Sequence, residues 1–303
     1  MKLIRFGTPG EERPGVWLES AEPEAKPMLL DIRAMAFDIE DYNEHFFAHF
    51  GLERVANLLR EPGRQPLRER SEWRGKLVPA EDVRLGPPVA RPGKIICLGK
   101  NYAAHAREFD AKIPESPILF SKAPTALIGP ADPIILPEGV TRVDGEVELA
   151  VVIGKTARRV AESDALNYVA GYSVLNDVTD REAQRVAGQW FRGKSPDTFC
   201  PLGPFLVTRD EISDPHRLQL TSSINGRRFQ DGNTADLIFN IPFLIAFISA
   251  TITLQPGDVL ATGTPGGIGS ARNPPVYLQS GDRIECAVEG IGRQNNSVVK
   301  AMP

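Results

Sequence analysis

Three acidic residues carry the first chemical signal in this 303-residue sequence: Glu146 and Glu148 in RVDGEVELAVVIGK, residues 142–155, and Asp177 in AGYSVLNDVTDREAQ. The first stretch reads as a strand entering the core. Side chains alternate across a strand, so the two glutamates point to one face, beside an apolar run where ionised carboxylates are costly. A hard divalent cation removes both the burial cost and the mutual repulsion. Carboxylate oxygens plus waters are the usual donors for Mg²⁺ or Mn²⁺. Asp177 closes a second apolar strand ahead of a helix, where it can supply a third ligand to one ion per chain. The same Glu-Val-Glu pattern also fits an edge strand whose glutamates face water.

A second group of residues could move protons. In KNYAAHAREFD, His105 and Glu108 are three apart and share a helix face, so the carboxylate can hold one ring nitrogen and raise the basicity of the other. A surface ion pair is the competing reading. Arg181 and Gln184 follow Asp177 by four and seven residues and can hold a carboxylate or carbonyl oxygen. Lys194, among aromatic and apolar neighbours in WFRGKSPDTFCPLGPFLV, is expected to have a pKa lowered by desolvation and to donate a proton to a developing carbanion, or else to sit in water. The loop GDVLATGTPGGIG offers backbone N–H groups and the Thr264 hydroxyl to an anionic oxygen, but lacks the ending of a phosphate loop. His45, His49 and Glu53 recur every four residues in EHFFAHFGLERV, which suits a polar helix face better than a zinc site.

The elements that must position these groups are mostly short strands. KIICLG, PIIL, VELAVVIG, YVAGYSVLN, GPFLV, LQLTSSING, DVLATG and RIECAVEGIG read as β runs between Gly and Pro turns. Helical patterns are fewer, over residues 102–110, 181–186 and 241–251. Prolines 87, 88 and 92 in RLGPPVARPGK break the chain near residue 93. The reading is an α+β protein with a small N-terminal α/β domain, residues 1–92, ahead of a β-rich domain, residues 93–303, that carries the chemistry. Lys plus Arg is 35 against 39 for Asp plus Glu, a formal charge of −4, which argues against a nucleic-acid partner. Cys97, Cys200 and Cys286 are isolated in apolar sequence, as suits buried thiols in a reducing compartment. The opening MKLIRFGTPG lacks a signal-peptide core, and no apolar stretch is long enough for a membrane span, so a soluble cytoplasmic protein is expected.

From residue 94 onward the sequence resembles the fumarylacetoacetate hydrolase family, in its bacterial acylpyruvate and diketo-deoxy sugar acid hydrolase branch. Seven blocks match in order: KIICLGKNYAAHARE, PILFSKAPTALIGPADPI, DGEVELAVVIGK, AGYSVLNDVTDREAQ, GKSPDTFCPLGPF, NGRRFQDGNT and LQPGDVLATGTPGGIG. The resemblance implies a rolled mixed β-sheet, usually in a homodimer. It implies metal ligation by Glu146, Glu148 and Asp177, a dyad of His105 and Glu108, a lysine at Lys194, and substrate contacts at Arg181 and Gln184. Gly145 stands where many members have an aromatic residue, and Phe109 and Asp110 follow Glu108 where small residues are expected. The activity implied is metal-dependent hydrolysis of a carbon–carbon bond in a 2,4-diketo acid of the acylpyruvate or fumarylacetoacetate type. Oxaloacetate decarboxylase, isomerase and a non-catalytic metal-binding relative are the alternatives. Lys100 and Asp110 favour a hydroxylated or charged acyl group.

Overall fold

A computed structural model of the chain describes residues 1–19, 26–60, 73–108, 112–185 and 188–301. The N-terminal segment forms β1 (Lys2–Phe6), β2 (Arg13–Leu18), β3 (Met28–Asp31), α1 (Ile32–Met35), α2 (Glu44–Ala48), α3 (Gly51–Leu59), β4 (Leu77–Pro79) and β5 (Leu85–Gly86). Asp31 and Asn43 start α1 and α2 as side-chain caps, accepting from the N–H groups of Ala34 and Phe46. Next come β6 (Ile95–Gly99), α4 (Ala103–Arg107), β7 (Ile118–Lys122), β8 (Leu127–Ile128), β9 (Ile134–Leu136), β10 (Val143–Asp144) and β11 (Val147–Ile153). The chain continues through β12 (Val169–Asn176), β13 (Thr179–Asp180), α5 (Arg181–Arg185), α6 (Trp190–Lys194), β14 (Cys200–Pro201) and β15 (Leu206–Thr208). It closes with β16 (Gln219–Ile224), β17 (Arg227–Asn233), α7 (Ile241–Ser249), β18 (Val259–Ala261), β19 (Arg283–Val288) and β20 (Gly292–Lys300).

The main sheet has eleven strands in the order β4-β3-β2-β1-β15-β12-β11-β18-β6-β7, with β5 also on β1. It is mixed, because β18 and β6 run parallel while the other pairs are antiparallel. It is open, with β4 and β7 as its edges. A second sheet follows the order β17-β16-β19-β20-β9. The result is the strand-rich α+β fold expected from the sequence. The N-terminal strands share the main sheet with the later ones through β1 on β15, where Leu3 lies opposite Leu206. Among the described residues no helix is long and apolar enough to cross a membrane.

The burial of β11 decides where the site lies. All seven of its residues are buried, so it is covered on both faces, as expected for a near-continuous apolar run. Leu149, Val151 and Ile153 pack into the core shared with Leu220 and Ile284 of the second sheet. Ala150 and Val152 turn the other way, into a core with Phe46 and Val55 of the N-terminal helices. Glu146 and Glu148 follow the even-numbered parity and so stand at the open end of that second face.

Candidate active site

The trio of carboxylates is assembled by one strand pair. β11 and β12 run antiparallel with Val147 opposite Asn176 and Glu148 opposite Leu175, which sets Asp177 beside the glutamates. The turn is braced twice: the Asp177 N–H donates to the Glu146 carbonyl at 2.8 Å, and the Glu146 N–H donates to Asn176 Oδ1 at 2.9 Å. One oxygen from each of Glu146, Glu148 and Asp177 lies within 4.8 Å of the others, and all three side chains are buried. The site therefore concentrates three acids in a place water barely reaches.

Cations compensate them unequally. Glu146 receives Arg181 Nη2 at 2.5 Å and Lys194 Nζ at 2.6 Å. Asp177 is held from both sides, by Lys122 Nζ at 2.7 Å and Lys194 Nζ at 2.5 Å. Burial alone would raise the Glu146 carboxyl, but Arg181 and Lys194 outweigh it and hold that group far below the usual carboxylate range. Glu148 has a hydrogen bond from the Gly263 N–H at 2.7 Å and no ion pair with a side chain among the described residues. Desolvation, with Asp177 and Glu146 as like-charged neighbours, pushes its carboxyl well above the ordinary value. A divalent cation at the trio relieves that penalty, and an all-carboxylate donor set fits a hard ion such as Mg²⁺ or Mn²⁺.

Lys194 is corrected in one respect. It is the last residue of α6 and is buried, neither in a loop nor in water. Desolvation pulls its pKa down as expected, yet Asp177 and Glu146 outweigh that effect and hold the ammonium well above its usual range. Lys194 is thus a buried ammonium paired with two of the three carboxylates.

The dyad forms. α4 spans Ala103–Arg107, shorter than expected at both ends, and His105 Nδ1 lies 3.3 Å from Glu108 Oε2. The other Glu108 oxygen accepts from the Gly267 N–H at 2.5 Å, which ties α4 to the 263–269 loop. Phe109 and Asp110 lie outside the described residues. His105, Glu146, Glu148, Arg181, Gln184, Lys194 and Thr264 all line one cavity of about 360 Å³. Arg181 also donates to Gln184 Oε1 at 3.2 Å, so α5 presents both polar groups together. The Thr264 hydroxyl donates to the Val147 carbonyl at 2.8 Å and accepts from Gln230 Nε2 at 2.7 Å. In this arrangement its proton is committed to the backbone.

Several residues were missed in the sequence. Asp144 accepts five hydrogen bonds: Gly145 and Gly269 N–H on Oδ1 at 3.0 Å each, and on Oδ2 the Ser270 N–H at 2.9 Å with Arg181 Nε at 3.2 Å and Nη2 at 3.0 Å. Its signal was present, since Asp144 has the same strand parity as Glu146 and Glu148. Lys122 ends β7 and is the one residue of that strand that is buried. Gln230 satisfies its whole amide by accepting from Val147 N–H and Ser222 Oγ and donating to Thr264 Oγ1 and Pro265 O. Nothing local in the sequence announces that role. A Cβ at Gly145 would lie 2.2 Å from Ile284 Cδ1, the end of a side chain that would have to turn aside. His45 and His49 fall on α2 and just beyond its end, with His49 Nδ1 at 2.9 Å from the His45 carbonyl. They are not among the described groups able to hold a metal.

The chain is similar to known proteins over nearly its whole length. Residues 94–299 match the family model described as Fumarylacetoacetate (FAA) hydrolase C-terminal, and the chain belongs to that family of enzymes. The mitochondrial oxaloacetate tautomerase of Rattus norvegicus is 41% identical over 303 residues, covering 99% of this chain and 92% of its own. A 5-carboxymethyl-2-hydroxymuconate delta-isomerase from Mycobacterium smegmatis superposes with a TM-score of 0.75 at 35% identity, covering 100% of both chains. The maleylpyruvate hydrolase from Sphingobium sp. SYK-6 gives 0.77 at 34% identity, covering 99% of this chain and 100% of its own.

Proposed function

We propose that this chain is a divalent-metal-dependent hydrolase that cleaves a carbon–carbon bond of a 2,4-diketo acid, giving pyruvate and a carboxylic acid. One observation carries the reading: His105, braced by Glu108, lines the same cavity as Glu146 and Glu148. Held by Glu146, Glu148 and Asp177, Mg²⁺ or Mn²⁺ would supply Lewis acidity at the 2-oxo acid end of the substrate. Arg181 and Gln184 orient the substrate carboxylate or carbonyl at that end. With Nδ1–H donated to Glu108, the other ring nitrogen of His105 takes a proton from a water as that water adds to the 4-oxo carbon. The bond between carbons 3 and 4 then breaks, and its electron pair passes to carbon 3 and onto the 2-oxo oxygen. The His105 imidazolium returns the proton to carbon 3. Lys194, held charged between Glu146 and Asp177, contributes a fixed positive field beside the developing negative charge.

A second reading is favoured by the 41% identical rat relative, whose name is oxaloacetate tautomerase. Enol–keto interconversion uses the same 2-oxo acid end and the same His105 base but needs no water and breaks no carbon–carbon bond. The two readings separate in one experiment. The Mg²⁺-loaded enzyme is mixed with acetylpyruvate, a longer acylpyruvate or enol oxaloacetate, and products are followed by proton NMR. Pyruvate and a carboxylic acid from a diketo acid support the hydrolase. Enol loss from oxaloacetate with no cleavage of any diketo acid supports the tautomerase, and carbon dioxide release would replace both with a decarboxylase.

A further inference from the structure

The six oxygens of the carboxylate trio are not equivalent. Each acid has one oxygen held by a donor from another segment: Arg181 Nη2 on Glu146 Oε1 at 2.5 Å, the Gly263 N–H on Glu148 Oε2 at 2.7 Å, and Lys122 Nζ on Asp177 Oδ1 at 2.7 Å. Lys194 Nζ bridges the remaining oxygens of Glu146 and Asp177, Oε2 and Oδ2, which marks these two as the pair that face one another. A carboxylate oxygen has two acceptor sites, so both can keep Lys194 and still meet an ion.

The two lysines on Asp177 differ in what else they touch. Lys194 lines the cavity, whereas Lys122 is not among its lining residues and its side chain is fully buried. A second bond, to the Val178 carbonyl at 3.0 Å, fixes the Lys122 ammonium. The backbone beneath it is fixed as well. Lys122 pairs with Ile95 across β7 and β6, and the Ala123 N–H donates to Ser195 Oγ at 2.9 Å, which fastens the end of β7 to the residue after Lys194. A rigid, buried ammonium therefore claims Oδ1 from behind. For both Asp177 oxygens to ligate one ion, the carboxylate would have to turn Oδ1 toward that ion, which breaks the Lys122 bond or sets the ion against the ammonium.

We propose that Lys122 is a metal-selectivity residue: by holding Asp177 to a single ligating oxygen, it fits the site to Mg²⁺ and sets it against Ca²⁺. This rests on the reading above in that it takes the trio as a metal site. Mg²⁺ is small, demands octahedral ligands at about 2.0–2.1 Å and is satisfied by one oxygen from an acid. Ca²⁺ takes about six to eight oxygens at about 2.3–2.6 Å and often gains them from carboxylates that ligate through both oxygens. A locked Asp177 thus denies Ca²⁺ a ligand that Mg²⁺ does not use. Lys122 acts through Asp177 alone and is a positioning residue.

The test is calorimetric titration of the metal-free full chain with Mg²⁺ and, separately, with Ca²⁺. The parent is compared with Lys122→Met, which keeps the length of the side chain and removes its donors. Loss of a buried positive charge favours both divalent ions alike, so the ratio of the two dissociation constants is the readout, and no turnover enters it. Lys122→Met should move that ratio toward Ca²⁺ by about tenfold or more, the size of effect seen when a partner of a metal ligand is removed. Lys122→Gln, uncharged but still polar, is read the same way if circular dichroism shows that Lys122→Met does not fold. A second measurement needs no variant: water-proton relaxation of the Mn²⁺-loaded parent counts the waters on the ion. About three are expected on a six-coordinate ion that holds one oxygen from each acid. An unchanged ratio in the folded variant, or two waters or fewer in the parent, overturns the role of Lys122 and leaves the metal site standing. If the parent binds neither Mg²⁺ nor Ca²⁺, the trio is not a metal site, and both readings fall.

Discussion

Asp144→Asn is the perturbation that best separates the buried network from the reacting groups. Asp144 is 1% exposed and its carboxylate accepts five hydrogen bonds, two on Oδ1 and three on Oδ2. Asparagine keeps the shape but turns one acceptor into an NH₂ donor. In one orientation that NH₂ confronts the Gly145 and Gly269 N–H groups. In the other it confronts Ser270 N–H and the Arg181 guanidinium. Either way at least two buried donors lose their acceptor, at about 1–3 kcal/mol each. Arg181 also keeps a single carboxylate, so a total of about 3–5 kcal/mol is expected, the size seen when a buried ion pair is broken. Urea titration followed by circular dichroism, with Mg²⁺ held saturating, reads that loss. In the folded variant kcat/KM for the diketo acid should drop at least about tenfold, mostly through KM, because Arg181 orients the substrate and does not move a proton. A stability change under about 1 kcal/mol with KM unaltered would refute the claim that Asp144 holds Arg181 in place.

Three further outcomes are expected. Mg²⁺ at a hundred times its Kd should stabilise the parent by about 2.7 kcal/mol, while Glu148→Gln shows no such rise in Tm and no heat on titration; binding equal to the parent's would remove Glu148 from the ligand set. His105→Ala and Glu108→Ala should each lower kcat by roughly a hundredfold with smaller changes in KM, and full turnover in either would assign the base elsewhere. In the N-terminal segment, burial would raise the Glu12 carboxyl, but hydrogen bonding from Arg84 and the charge of Arg5 outweigh it and hold it below its ordinary value. A depressed carboxyl contributes stability above its unfolded pKa of about 4.3 and loses it as pH falls through the lower folded value. Glu12→Gln should therefore flatten the acid limb of stability measured by urea melts between neutral pH and acid, and an unchanged limb would show that the Arg84 contact does not matter.

Much of the site was legible because it obeys local periodicities. The two-residue repeat of a strand puts Glu146 and Glu148 on one face, and the helical spacing of His105 to Glu108 and of Arg181 to Gln184 brings each pair into contact. The strand repeat also placed the strands, whereas His45, His49 and Glu53 do not share one helix face, because α2 ends at Ala48 and α3 starts at Gly51. What periodicity does not carry is which charge answers which. Lys194 looked like a lysine made acidic by burial, but its surroundings include Glu146 just before β11 and Asp177 just after β12, 48 and 17 residues away in sequence, and they reverse the direction of the shift.

Short, regular spacing in the sequence determined the strand-rich α+β class and the same-face pairing of Glu146 with Glu148 and of His105 with Glu108, while ordered sequence blocks pointed to the family and to Asp177. Tertiary structure alone decided the rest. It brought Lys122 onto Asp177 from β7, folded Asp144 under both Arg181 and the 269–270 turn, and threaded Gln230 from the second sheet to Thr264. It also left Glu148 without an ion pair among the described residues, while Glu146 and Asp177 each received two cations. The physical reason is that hydrogen bonds and ion pairs between distant segments depend on where the sheets bring their ends together. Desolvation then amplifies every such contact, so electrostatic character follows from packing, not from spacing.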